Sequence, residues 1–103
     1  FEFTELCEEA LGAADYLAIA RAYHTVILAG IPQMGPDQRN AAKRFVTLID
    51  ALYDNGIKLI CSAQVRPEEL YETGDGTFDF ARTASRLIEM QSHDYFEASV
   101  KKK

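Results

Sequence analysis

The chain has 103 residues, 48% of them hydrophobic and 26% charged, enough for one small domain and too few for two, with a composition expected to fold rather than stay disordered. Its net charge is −5, and Lys101, Lys102 and Lys103 hold three of the eleven basic residues. The remainder sets eight basic residues against sixteen acidic ones, which argues against nucleic acid as the main partner because phosphate binding needs clustered Lys and Arg.

Phe1-Glu2-Phe3 alternates apolar and polar residues, as an edge strand does. Thr4 is placed to cap a short helix reaching Ala10, and Leu11-Gly12 breaks it. Ala13 to Tyr23 carries an apolar stripe of Tyr16, Leu17, Ile19 and Ala20 at helical spacing. His24 then opens the run His-Thr-Val-Ile-Leu-Ala, read as a core strand. Gly30, Pro32, Gly35 and Pro36 punctuate a loop. Pro36 or Asp37 starts the main helix, which runs to about Asp54 and turns Ala41, Phe45, Leu48, Ile49 and Leu52 inward. Asn55-Gly56 is its stop signal, and Ile57 to Ala63 is the second core strand.

Strand, helix and strand in this order make a parallel βαβ unit, whose crossover is right-handed. The fold class is α/β: a small parallel sheet with flanking helices. The two strands hold few polar residues, as expected when both faces of a parallel sheet are covered. Ligands of such sheets gather at the carboxyl ends of the strands, here Ala29-Gly30-Ile31-Pro32 and Ser62-Ala63-Gln64.

Pro67 to Tyr71 reads as one or two helical turns with Pro at the first position. Glu72 to Thr77 contains the flexible Gly74-Asp75-Gly76 turn, and Phe78-Asp79-Phe80 reads as a short strand or extended piece. Arg82 to Gln91 is a last helix with Leu87, Ile88 and Met90 as core candidates. Tyr95-Phe96 is expected to pack back on the domain. Residues 1–97 form the domain and 98–103 a disordered basic tail.

No self-contained catalytic constellation is present. The chain has no Gly-x-x-x-x-Gly-Lys-[Ser/Thr] phosphate loop and no Gly-x-Ser-x-Gly elbow. Cys7 and Cys61 lack zinc spacing and read as reduced, buried small hydrophobes of an intracellular protein. No apolar run approaches the ~18 residues of a membrane span, and no segment reads as a secretory signal. His24 and His93 have no partner at ligand spacing, so His24 reads as a hydrogen-bonded structural residue. Ser62, at a strand end, is placed either to orient a ligand or water or to cap the following turn.

One pattern breaks a local rule. Helices favour acidic residues in the first turn and basic ones in the last. The main helix carries Arg39, Lys43 and Arg44 early and Asp50 and Asp54 late; the last helix carries Arg82 and Arg86 early and Glu89 late. Arg82 and Arg86 lie one turn apart on one face. With Ser85 nearby they could hold a carboxylate or phosphate; equally, they could pair with acidic neighbours and fix the last helix to the domain.

Four blocks of the chain, in order, resemble the ZapE-like (Afg-type and LACE) P-loop ATPases. They are Leu11-Gly12-Ala13-Ala14-Asp15-Tyr16-Leu17-Ala18, His24-Thr25-Val26, the long block from Arg39-Asn40-Ala41-Ala42 to Leu52-Tyr53, and Arg82-Thr83-Ala84-Ser85-Arg86-Leu87-Ile88-Glu89-Met90-Gln91-Ser92. The resemblance implies the carboxyl-terminal portion of an AAA-like, three-layer P-loop domain. The family's phosphate loop and magnesium-binding strand would lie upstream of Phe1, which itself reads as the start of a piece cut from something longer. Where many members carry acidic residues after the His-Thr-Val strand, this chain has Ala29-Gly30, so any metal or nucleotide contact they make is absent.

The implied function is ATP hydrolysis, with ATP and Mg bound by the full-length parent, coupled to remodelling a protein partner. That partner would be the cell-division ring polymer or an inner-membrane protein under quality control. The 103-residue chain alone would be inactive and would pack on the upstream ATPase core. It would deliver Arg82 or Arg86 to nucleotide phosphate or to a neighbouring subunit, as the planar, permanently charged guanidinium suits. The implied location is the bacterial cytoplasm, or the mitochondrial matrix in a eukaryote, with at most peripheral membrane attachment. The alternative is a free-standing, non-enzymatic protein-binding module that keeps the family's carboxyl-terminal fold.

Overall fold

The computed structural model describes residues 1–71 and 77–90. In chain order the elements are α1 (Phe3–Cys7), α2 (Ala13–Ala22), β1 (Thr25–Ile31), α3 (Arg39–Asp54), β2 (Lys58–Ala63) and α4 (Thr77–Met90), with 3₁₀ turns at Pro36–Gln38 and Pro67–Glu69. The expected turn over 72–76, the packing of Tyr95-Phe96, His93 and the tail 98–103 lie outside the described residues.

β1 and β2 pair in parallel, with Val26 opposite Leu59, Ile27 opposite Ile60 and Leu28 opposite Cys61. The α/β reading with its βαβ centre therefore holds. The register shifts between Leu28 and Ile31, where Gly30 adopts φ +76°. That conformation suits glycine, and the irregularity resets the strand's alternation. Leu28 and Ile31, three positions apart, consequently both point into the core, 0% and 1% exposed.

The amino-terminal segment joins the other edge of β1. The Phe1 amino group donates to the Ile27 carbonyl at 2.7 Å, the Ala29 amide donates to the Phe1 carbonyl at 2.9 Å, and Glu2 bridges Ala29 in parallel. The expected edge strand is therefore reduced to an isolated bridge at Glu2. Phe3 already begins α1, because burying its ring beside Phe45, at 5.9 Å between centroids, turns the chain inward.

Helix starts follow one device. The carboxylate of Glu5 accepts the Glu2 amide at 2.7 Å, that of Asp15 accepts the Gly12 amide at 2.9 Å, and the Gln38 side chain accepts the Gly35 amide at 3.0 Å. Each is half of a capping box, satisfying an amide that the helix leaves unpaired. Thr4 thus lies inside α1 and does not cap it. At the far end of α3, Gly56 takes φ +65°, and the Ile57 amide returns to the Leu52 carbonyl at 2.9 Å. This is the stop that Asn55-Gly56 announces.

A single core joins the helices to one face of the sheet. Phe3, Leu6, Tyr16, Val26, Leu28, Phe45, Leu48, Ile49, Leu52, Leu59 and Phe80 are all buried in it. Tyr16 reaches its burial by donating its hydroxyl to the Leu6 carbonyl at 2.5 Å. Burial pushes the Tyr16 hydroxyl up to about 12 and the Cys7 thiol likewise to about 12. Cys61 is only half-buried, against the expectation for it.

Two expectations for the last part of the chain fail. Phe78-Asp79-Phe80 is neither strand nor extended; α4 begins at Thr77. Alternation at 78 and 80 matched a strand, but Phe80 starts an inward helical stripe with Thr83, Ala84, Leu87 and Met90. Ile88 falls off that stripe and is 50% exposed.

Candidate functional site

α3 and α4 run parallel to one another. Their contacts advance together: Phe45 stacks with Phe80 at 5.8 Å, Asp50 meets Arg82 and Arg86, and Tyr53 meets Arg86 and Glu89. Apolar packing at the amino-terminal end thus gives way to a polar cluster toward the carboxyl-terminal end.

Asp50 stands at the middle of this cluster. Arg86 pairs with its Oδ1, and Arg82 reaches its Oδ2 at 3.5 Å. The Arg86 guanidinium also lies 4.8 Å from the centre of the Tyr53 ring, within the range of a cation–π contact. The Tyr53 hydroxyl donates to the Glu89 carboxylate at 2.5 Å, and this bond raises the tyrosine's pKa. Two guanidinium groups, two carboxylates and one phenol form one connected network.

The two arginines are not equivalent. The Arg86 side chain is 24% exposed and held by an anion and a ring, whereas the Arg82 side chain is 57% exposed and makes the longer contact. An incoming carboxylate or phosphate would meet Arg82 first and would compete with Asp50 for it. The early position expected for these arginines also changes. With α4 starting at Thr77, Arg82 and Arg86 sit in mid-helix, and their charges answer Asp50 across the interface instead of opposing the helix dipole.

Ser62 belongs to a different place. Its hydroxyl oxygen accepts the Gly30 amide at 3.0 Å, at the carboxyl end of the sheet. Nearby, Gln64 accepts the Gln33 amide at 3.1 Å, and the Gln33 side chain donates to the Glu69 carbonyl at 3.1 Å. Together these bonds tie the two loops that leave the strands. Ser62 therefore binds the backbone of the neighbouring strand and does not join Arg82 and Arg86. His24 is exposed, with Nδ1 3.0 Å from the Thr25 hydroxyl.

Sequence reasoning missed Asp50 and Tyr53 as partners and a cleft of about 450 Å³ between the starts of α3 and α4. Arg39, Asn40 and Lys43 line it on one side, with Tyr71, Asp79 and Phe80 on the other. The usable signal for the first was the pair Asp50 and Tyr53, one turn apart on α3 like Arg82 and Arg86 on α4. The cleft gave no signal because it depends on where Tyr71 lies. Among the described residues no three His, Cys, Asp or Glu side chains converge as a metal site, and no helix is long and apolar enough to cross a membrane.

The AFG1-like ATPase family model matches residues 1–99. The cell division protein ZapE of Escherichia coli K12 is 41% identical over 95 residues, which cover 92% of this chain and 25% of that protein. Lactation elevated protein 1 homolog B of Danio rerio is 33% identical over 126 residues, covering 91% of this chain and 25% of its own length. An uncharacterized Schizosaccharomyces pombe protein is 45% identical over 126 residues, with 95% and 28% covered. The chain thus spans about a quarter of the length of these relatives. No solved structure matches.

Proposed function

The chain belongs to the AFG1-like ATPase family, and from that premise we propose that it serves as the carboxyl-terminal part of a longer ATP-hydrolysing protein that couples hydrolysis to remodelling a protein partner. The match of the family over residues 1–99 carries this reading. The name of the Escherichia coli relative favours a partner in cell division. The bacterial cytoplasm, or the mitochondrial matrix in a eukaryote, is the compartment that goes with it.

The sequence has no phosphate loop, and the described carboxylates and imidazoles do not converge. In this reading the nucleotide and its metal are held by the rest of the longer protein, and residues 1–103 alone hydrolyse nothing. Their contribution is a rigid α3–α4 pair that presents Arg82. Arg86, anchored on Asp50 and Tyr53, fixes the register of α4, and Arg82 extends to a phosphate or to a neighbouring subunit.

The test is steady-state ATP hydrolysis by the full-length gene product, by the 103-residue chain and by full-length Arg82→Ala. The full-length protein should turn over ATP and the 103-residue chain should not. Arg82→Ala should lower kcat while its melting temperature stays native. A full-length protein that binds and hydrolyses no ATP would overturn the ATPase reading. An Arg82→Ala variant with unchanged kcat would remove Arg82 from it.

A further inference from the structure

The stop of α3 carries a reactive pair. Asn55-Gly56 joins an amide side chain to a backbone nitrogen that no Cβ shields, and asparagine is a thermolabile residue because its side chain can react with the next peptide nitrogen. The Gly56 nitrogen, once deprotonated, attacks Cγ of Asn55. An N–C bond forms and closes a five-membered succinimide, the Cγ–Nδ2 bond breaks, and the side-chain nitrogen takes up protons and leaves as ammonia. Water then opens the ring at either carbonyl, giving aspartate or isoaspartate. Water is the only co-reactant.

The folded chain holds these groups out of reach of one another. The Gly56 amide donates to the Tyr53 carbonyl at 3.1 Å, which opposes loss of its proton. Nδ2 of Asn55 donates to the Ala51 carbonyl at 2.8 Å, so the side chain is folded back toward the preceding turn of the helix. Asn55 has ψ 5°, which nearly eclipses the Gly56 nitrogen with the Asn55 nitrogen. Ring closure needs the Gly56 nitrogen beside Cβ instead, a large rotation about the Cα–C bond. That rotation would undo the stop itself, where Gly56 sits at φ +65°, the Ile57 amide returns to Leu52 at 2.9 Å and the Lys58 amide donates to the His24 carbonyl at 3.0 Å. Both residues are half-buried, so water reaches the ring once it forms.

We propose that Asn55 is a deamidation site gated by local opening of the α3 terminus, so that the chain gains a carboxylate there only after that end has frayed. The product makes the opening lasting. Asn55 follows Asp54 at the negative end of the helix dipole, where a further anion is unfavourable. Its aspartate also lacks the Nδ2 donor that meets Ala51. Isoaspartate adds an atom to the main chain just before Gly56, which displaces Ile57, 6% exposed, and the start of β2. Asn40 is the other asparagine of the chain. It precedes Ala41 within α3, and the Cβ of that alanine hinders the same attack.

The test follows the full-length gene product at mildly alkaline pH through the mass gained when an amide becomes a carboxyl group. Peptide mapping separates Asn55 from Asn40 and from Asp75-Gly76, whose isomerisation changes no mass. Conversion at Asn55 should be at least about tenfold slower in native buffer than in denaturing urea, since it then waits on opening. In urea, Gly56→Ala should slow it several-fold, and Asn40 should lag behind Asn55. Below the unfolding midpoint the rate should rise with urea less steeply than global unfolding does, because fraying exposes little surface. Asn55→Asp should lower the melting temperature by roughly 1–3 °C, and by less at high salt. Absence of conversion in urea would overturn the site, and equal rates in native buffer and urea would overturn the gate. A native rate that tracks global unfolding would overturn its local character. An Asn55→Asp variant as stable as the parent would overturn the lasting effect.

Discussion

Arg86 of α4 pairs with Asp50 of α3 while its guanidinium lies against the Tyr53 ring one turn further along the same helix. One side chain therefore meets a carboxylate and an aromatic ring that α3 presents at positions i and i+3. This double contact sets how far α4 is shifted along α3. Arg82 takes the other Asp50 oxygen at a longer distance.

The inequality of the two arginines should appear in stability. Arg86→Ala should destabilise the chain by about 1–2 kcal/mol, the sum of a partly screened ion pair and a cation–π contact. Arg82→Ala should cost less than ~0.5 kcal/mol, as expected of a largely exposed pair. Urea unfolding of both variants measures the difference, and equal losses would contradict it.

Phe78 and Phe80 should behave oppositely. Phe80 is 2% exposed and stacks on Phe45, whereas Phe78 is 90% exposed. Phe80→Ala should cost ~3–5 kcal/mol through the cavity it leaves, and Phe78→Ala less than ~0.5 kcal/mol. A large loss at Phe78 would speak against the helical start of α4 at Thr77.

Stability should fall in alkali. Burial raises the Cys7 thiol and the Tyr16 hydroxyl each to about 12, from ordinary values near ~8.5 and ~10. Both groups stay protonated in the folded chain while the unfolded chain loses its protons, so the unfolded state binds fewer protons and stability drops with rising pH. The contribution is complete below about pH 8.5, declines first through Cys7 and then more steeply above pH 10 as Tyr16 joins, and is lost near pH 12. Melting temperatures across pH 7–11 should show this slope, and Tyr16→Phe should flatten its upper part. A flat profile would contradict the burial of both groups.

Gly56 should resist replacement. At φ +65° a side chain is strained, so Gly56→Ala should cost about 1 kcal/mol. Chemical denaturation of this variant beside Gly12→Ala is the check. Gly12 has extended backbone and no neighbour within 4 Å of an added Cβ, so its replacement should be nearly neutral.

The elements that local chemistry dictates were legible from the chain. The periodicity of Phe45, Leu48, Ile49 and Leu52 marked α3 and its buried face, Gly56 marked its end, and the two apolar runs marked β1 and β2 in parallel. These signals are local because a helix or strand is specified by side chains within a few positions of one another. The site was only half legible. Arg82 and Arg86 stood out as charges on one face, but their common partner Asp50 lies 32 and 36 positions away, and nothing local names it.

Tertiary structure decided the rest where local rules were evenly balanced. Phe78-Asp79-Phe80 alternates like a strand, and it is helical because Phe80 finds Phe45 and Tyr71. Ile27 and Ile60 are as apolar as Val26 and Leu59, and among the described residues only the placement of the helices separates exposed from buried. The sequence by itself determined α2, α3, β1 and β2 and that the strands pair in parallel. The docking of α4 on α3 determined which charges meet, and the placement of the described helices determined that Val26 and Leu59 are buried while Ile27 and Ile60 are not. Both depend on contacts between residues far apart in the chain, whose free energy exists only once the intervening segments have closed around them.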